Sequence, residues 1–262
     1  IDELTCTSAG GSSTPDYVAG YSNRLVGNST SITVTGLTSG VTYYWRVRAE
    51  GPGAACVSDS STTSSVTTAT ATPPTLTSPT ATAIGQTGAT LGATITGGSG
   101  ITERGTVWGT SANPTGNSLA EGGTATGAFT DAVTGMSQGT HYYYRGYAIN
   151  AGGTAYSPDG SFYTEPGQAA SVNITDVSSS GMTISWAAGA DSDGAIVVVR
   201  EGNSAVTDPT DGTLHSASAV FGSGADLGSG SYVVYRGSGT NVTVSGLSPN
   251  TTYYVEVFAY KG

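Results

Sequence analysis

The chain has 262 residues, 8 of them Lys or Arg and 18 Asp or Glu, for a net charge of −10. That balance excludes the basic surface needed to meet nucleic-acid phosphates or an anionic bilayer. Its 40 glycines, abundant Ser and Thr and 10% charged residues disfavour helix, while 37% hydrophobic content and 15 tyrosines speak against a disordered chain.

In chain order, the first feature is a pair of cysteines, Cys6 and Cys56. One disulfide within a single repeat, formed in an oxidising compartment, is expected; two buried free thiols are the alternative. Next comes TGLTSGVTYYWRVRA at 35–49, which returns as TGMSQGTHYYYRGYA at 134–148 and SGLSPNTTYYVEVFA at 245–259. In each copy an apolar residue (Leu37, Met136, Leu247) stands six positions before a tyrosine (Tyr43, Tyr142, Tyr253). This spacing predicts a tyrosine corner, in which the hydroxyl bonds backbone a few residues upstream and pins the turn between two strands of a sandwich. Alternation then predicts Tyr43, Trp45, Val47 and Ala49 inward, with Tyr44, Arg46 and Arg48 outward. The same pattern runs through Tyr253, Val255, Val257 and Ala259.

A Pro- and Thr-rich linker at 68–79, TATATPPTLTSP, closes the first repeat. The second opens its third strand near Thr102, and TEPGQA at 164–169 joins it to the third. There MTISWAAG places Ile184 and Trp186 on one strand face, the tryptophan filling the core. The expected units are therefore 1–72, 73–165 and 166–262. The corner tyrosines lie 99 and then 111 residues apart, so the third unit carries an insertion. Counting back from Tyr43 by the second unit's spacing leaves no room for the first two strands, A and B. The third unit ends after strand F and lacks strand G. The chain reads as a piece of a longer tandem array.

The phrases themselves are similar to a known family. Residues 103–164, from ERGTVWGTSANPTGN to GGTAYSPDGSFYT, resemble fibronectin type III-like repeats of very large secreted bacterial surface proteins. VVVREGNSAVTDPTDGT (197–213) with 221–260 resembles a second variety, and 18–49 a third. The resemblance implies an all-β chain of three tandem immunoglobulin-like sandwiches, export to the cell surface, and a structural role in a stalk, filament or adhesin. Further repeats of the same chain, identical neighbouring chains and environmental glycans are the partners to expect. The alternative is that the repeats are accessory spacers or carbohydrate-binding modules of a secreted polysaccharide-degrading enzyme.

Little points to catalysis. His141 and His215 fall in different repeats without a nearby Cys, so no zinc site is expected, and no nucleophile elbow is present. No cofactor is expected, save weak calcium at Asp191, Asp193, Asp208 and Asp211 if the loops DSDG and DPTDG converge. The outward faces of strand F are the expected interaction surface. Tyr44, Tyr143, Tyr147, Tyr254, Phe258 and Tyr260 point away from their cores there, to stack on sugars, to meet another chain, or to pack against a neighbouring repeat.

Overall fold

The structure, a computed structural model, describes residues 3–8, 18–22, 24–49 and 58–262, and all regular structure among them is β. The first set of strands is β1 (Glu3–Ser8), β2 (Thr42–Arg48) and β3 (Ser64–Thr67), one antiparallel sheet in that order. Cys6 lies on β1, paired with Trp45 of β2. Cys56 lies outside the described residues, and with it the expected disulfide.

No second sheet faces this one among the described residues. Residues 31–35, SITVT, alternate as a strand should, with Ile32 and Val34 half-buried and Ser31, Thr33 and Thr35 exposed, yet they join no ladder. This corrects one expectation. Trp45 is on the inward side but remains 37% exposed, because it lines an apolar groove of about 370 Å³ with Ile32, Val34, Leu37 and Val47. Alternation fixes which way a side chain points; only a second sheet buries it.

The second set is whole. Its strands are β4 (Thr75–Thr82), β5 (Gly88–Gly97), β6 (Glu103–Gly109), β7 (Asn117–Ala120), β8 (Gly127–Thr134), β9 (His141–Asn150), β10 (Gly153–Tyr156) and β11 (Gly160–Tyr163). One sheet is β4-β5-β8; the other is β10-β9-β6-β7, with β11 also pairing β9. The end of the expected linker, from Thr75 onward, is therefore strand. Its Pro79 is tolerated because β4 is an edge, where one N–H can be spared. Between the sheets lie Leu91, Val133, Met136 and Phe162 towards one end, and Leu76, Ile95, Phe129 and Ala148 towards the other.

The third set comprises β12 (Ala170–Thr175), β13 (Gly181–Ala187), β14 (Gly194–Glu201), β15 (Ser231–Gly237), β16 (Asn241–Ser245) and β17 (Tyr253–Tyr260). Its sheets are β12-β13-β16 and β15-β14-β17. Met182, Ile184 and Trp186 face Val197, Val199 and Val257 across the core. A second apolar layer, Val206 with Ile196, Val198 and Val233, lies on the outer side of the latter sheet under the inserted loop. The chain is all-β and built of sandwich units in series.

Candidate interaction surfaces

Each corner tyrosine accepts a hydrogen bond from a backbone N–H five residues upstream. The donors are Thr38 N to Tyr43 Oη (2.8 Å), Ser137 N to Tyr142 Oη (3.0 Å) and Ser248 N to Tyr253 Oη (2.9 Å). Since the corner ends the turn that starts strand F, it sets where the outer aromatics begin. Tyr142→Phe keeps the ring and orphans the Ser137 amide, so it is expected to cost about 1 kcal/mol. A lowered urea midpoint with an unchanged slope would show this.

The six predicted outer aromatics do not form one surface. Tyr44 and Tyr254 stand more than a third exposed. Tyr143 is half-buried, edge-on to His141 at 4.7 Å, and His141 stacks on Tyr163 at 4.5 Å. Phe258 and Tyr260 pack onto the apolar layer under the insertion, Tyr260 beneath the Arg236 guanidinium at 4.8 Å. Tyr147 needs correction: it is on the outer face but only 6% exposed. Gly105 opposite it has no side chain, so the ring lies down, and a Cβ there would come within 2.9 Å of Tyr147 Cε1. Its hydroxyl donates to Glu103 Oε1 at 2.6 Å. Burial, with the Glu103 carboxylate, pushes the phenol well above its ordinary range. Two exposed aromatics were missed, Tyr156 under Arg145 (4.3 Å) and Tyr163. Alternation around inward Phe162 was the available signal for Tyr163.

Of the four acids named for calcium, Asp191 and Asp193 take hydrogen bonds from other groups. Gln138 Nε2 donates to Asp191 Oδ2 at 3.0 Å, across from the second unit. Lys261 Nζ (2.7 Å) and Gly262 N (3.0 Å) both donate to Asp193, holding its carboxyl below the usual range. Asp211 lies near Glu165 and Asp208 near Glu256; burial first, and these like charges second, raise both glutamates. Among the described residues no three of His, Cys, Asp and Glu gather so as to hold a metal ion. His215 Nε2 accepts from the Thr210 amide at 3.3 Å, far in sequence from His141 and its tyrosines.

The units two and three meet through side chains. Besides Gln138 on Asp191, Gly139 sits so close that a Cβ would come 2.6 Å from Asp191 Cβ. Gly262 is equally tight on Tyr163, at 2.9 Å from Cδ2. The turn before strand F of one unit is thus seated on loops of the next.

The core of the second unit contains a polar cluster. Arg104, 9% exposed, donates through Nε and Nη2 to both Glu121 oxygens at 2.8 Å, and through Nη1 to Ala125 O at 2.6 Å. Asp131 and Thr106 are 6% and 0% exposed, and Asp131 Oδ2 and Thr106 Oγ1 have no hydrogen-bond partner. Burial pushes the Asp131 carboxyl above its ordinary value, opposed first by the adjacent Thr106 and last by Arg104, and helped by the charge of Glu121.

No curated protein matches the chain. The family model of the purple acid phosphatase N-terminal domain matches residues 168–262. Among solved structures, the chain is similar to the FN1–FN3 domains of chicken CNTN1, at 16% identity over 99% of this chain and 90% of that one, TM-score 0.34. It is also similar to a two-domain fibronectin type III segment from chicken tenascin, at 18% identity over 71% of this chain and 91% of that one, TM-score 0.34.

Proposed function

We propose that the chain is a non-catalytic structural segment of an extracellular bacterial surface filament, stalk or adhesin, in which serial sandwiches provide reach. The observation that carries this reading is the seated joint between the second and third units. Gln138, Gly139 and Tyr163 on one side meet Asp191 and Gly262 on the other, so bending there must break contacts rather than flex a free linker. Further repeats of the same chain are the first partners of such a segment. Neighbouring identical chains and glycans would meet its exposed Tyr44, Tyr163 and Tyr254.

Solution scattering tests the reach. Sandwiches about 35 Å long, from strands of some ten residues at ~3.3 Å each, give a rod with a radius of gyration of roughly 30 Å when three are placed in line. A single compact globule of this length has about 18 Å. The larger value is expected; a value near the smaller one would sink the spacer reading.

The match of residues 168–262 to an N-terminal domain of a phosphatase favours a second reading, accessory modules beside the catalytic domain of a secreted hydrolase. A catalytic domain joined to these repeats in the full-length protein would favour that reading, whereas a long run of further repeats would favour the stalk.

A further inference from the structure

The two linkers leave their units through the same set of hydrogen bonds. The residue directly after the last strand is Thr68 following β3 and Thr164 following β11. Thr68 Oγ1 donates to Thr38 O at 2.6 Å and accepts from Val41 N at 3.1 Å, while its N–H donates to Val41 O at 3.0 Å. Thr164 Oγ1 donates to Ser137 O at 2.6 Å and accepts from Thr140 N at 2.9 Å, while its N–H donates to Thr140 O at 3.0 Å. One residue further along each linker, Ala69 O accepts from Gly40 N and Glu165 O from Gly139 N. Both glycines stand at positive φ, 69° and 53°, a conformation that costs glycine little.

Thr38 and Ser137 are also the residues whose N–H groups the corner tyrosines hold. Each is therefore fixed through its amide by strand F and through its carbonyl by the start of the linker. Thr164 is 0% exposed, so water does not compete for its bonds. The far end of each linker is gripped by the unit it enters. Asn150, 6% exposed, donates through Nδ2 to Thr72 O at 2.9 Å and to Ser99 O at 3.0 Å, and its Oδ1 accepts from Gly152 N at 2.8 Å. In the third unit Ala190 O accepts from Gly167 N at 2.8 Å.

We infer that Thr68 and Thr164 are joint locks: their hydroxyls seat each linker on the corner of the unit it leaves and so fix the angle between successive units. Between lock and grip lie only residues 69–71 in the first linker and 165–166 in the second, and these are tied as well. Ala71 N donates to Ser39 Oγ at 2.6 Å and Glu165 N to Gly85 O at 3.2 Å. A stretch rich in Pro and Thr is a semi-rigid spacer by composition; here hydrogen bonds add a defined direction. The turn that Thr164 locks also carries Gln138 and Gly139, which meet Asp191 of the third unit, so the lock orients that contact too. The inference does not depend on the spacer reading, since accessory modules on the same joints would be held as firmly.

The test uses the whole chain in two double variants, read by amide hydrogen exchange and solution scattering. Thr68→Val with Thr164→Val keeps the branched shape and removes the hydroxyls; Thr68→Ser with Thr164→Ser keeps the hydroxyls. In the valine chain, exchange at Val41 and Thr140 is expected to quicken roughly tenfold, while Thr38 and Ser137, held by tyrosine, stay protected. Its radius of gyration should fall below the parent's as the joints bend. The serine chain should match the parent in both measurements. A valine chain with the parent's radius would overturn the inference, because the prolines alone would then set the angle. A serine chain as loose as the valine chain would overturn it by assigning the hold to the methyl groups. Loss of protection throughout β9 in the valine chain would overturn it too, since Thr164 would then hold the sandwich rather than the joint.

Discussion

Gly146→Val is expected to unfold the second unit, although both other repeats carry valine at the matching place. Six residues after Met136 comes Tyr142, and four further on Gly146; the same count gives Val47 and Val257. In the structure Gly146 faces the opposite sheet, where an added Cβ would collide with Ala93 Cβ and approach Phe129 Cζ to 3.1 Å. The reason is a size exchange across the core. Counting back seven from Met136 gives Phe129, and seven back from Leu247 gives Thr240; the bulk that Val257 supplies in the third unit comes from Phe129 in the second. Gly146 is also tied through both its backbone groups to Ser157, whose Oγ accepts from its N–H at 3.0 Å and whose N donates to its carbonyl at 2.9 Å, so the strand has little freedom to retreat. Overpacking of this kind costs about 3 kcal/mol or more. Urea unfolding followed by tyrosine fluorescence should show the second unit melting early, and Phe129→Ala in the same chain should recover part of the loss. An unchanged midpoint for Gly146→Val would mean that the two sheets are not packed as described.

The bends and strand directions were legible because both depend on local rules. The six-residue step from Leu37, Met136 or Leu247 to a tyrosine marks a turn, and a period of two assigns faces. What was not legible depends on partners far along the chain. Nothing in YYYRGYA shows that Tyr147 will lie over Gly105, 42 residues earlier, or that Trp45 will be left on an open groove. How far each outer aromatic is covered was not legible for the same reason. Phe258 and Tyr260 are covered by an insertion whose conformation no repeat pattern predicts. The acids of DSDG and DPTDG likewise depend on Gln138, Lys261, Glu165 and Glu256, none of which the loop sequences name.

The polar cluster in the second unit carries the other large effects, and they have opposite signs. Five positions before Met136 stands Asp131; the same count gives Ile32 and Val242 in the other repeats. Across the core, Thr106 pairs with Gly146 as Val197 pairs with Val257, so a hydroxyl replaces a valine there too. Arg104 holds Glu121 in a two-point grip, while Asp131 Oδ2 has no partner. Arg104→Met leaves Glu121 and Asp131 without their counter-charge and should destabilise by about 3 kcal/mol. Asp131→Asn removes a buried charge at constant size, and its amide can donate to Thr106 Oγ1; it should stabilise by roughly 1–2 kcal/mol at pH 8. The pH dependence separates the two. The folded carboxyl of Asp131 is raised above its unfolded value, so the folded state binds the extra proton and stability falls as pH rises through that window. Glu121 is depressed, chiefly by its bonds with Arg104, so its contribution is present above the ordinary carboxylate range and lost on acidification below it. The stability of Asp131→Asn relative to the parent chain should therefore be greatest at pH 8 and vanish near pH 3, where both bear no charge. A gain of equal size at both pH values would show that Asp131 is not the buried acid that the second core tolerates.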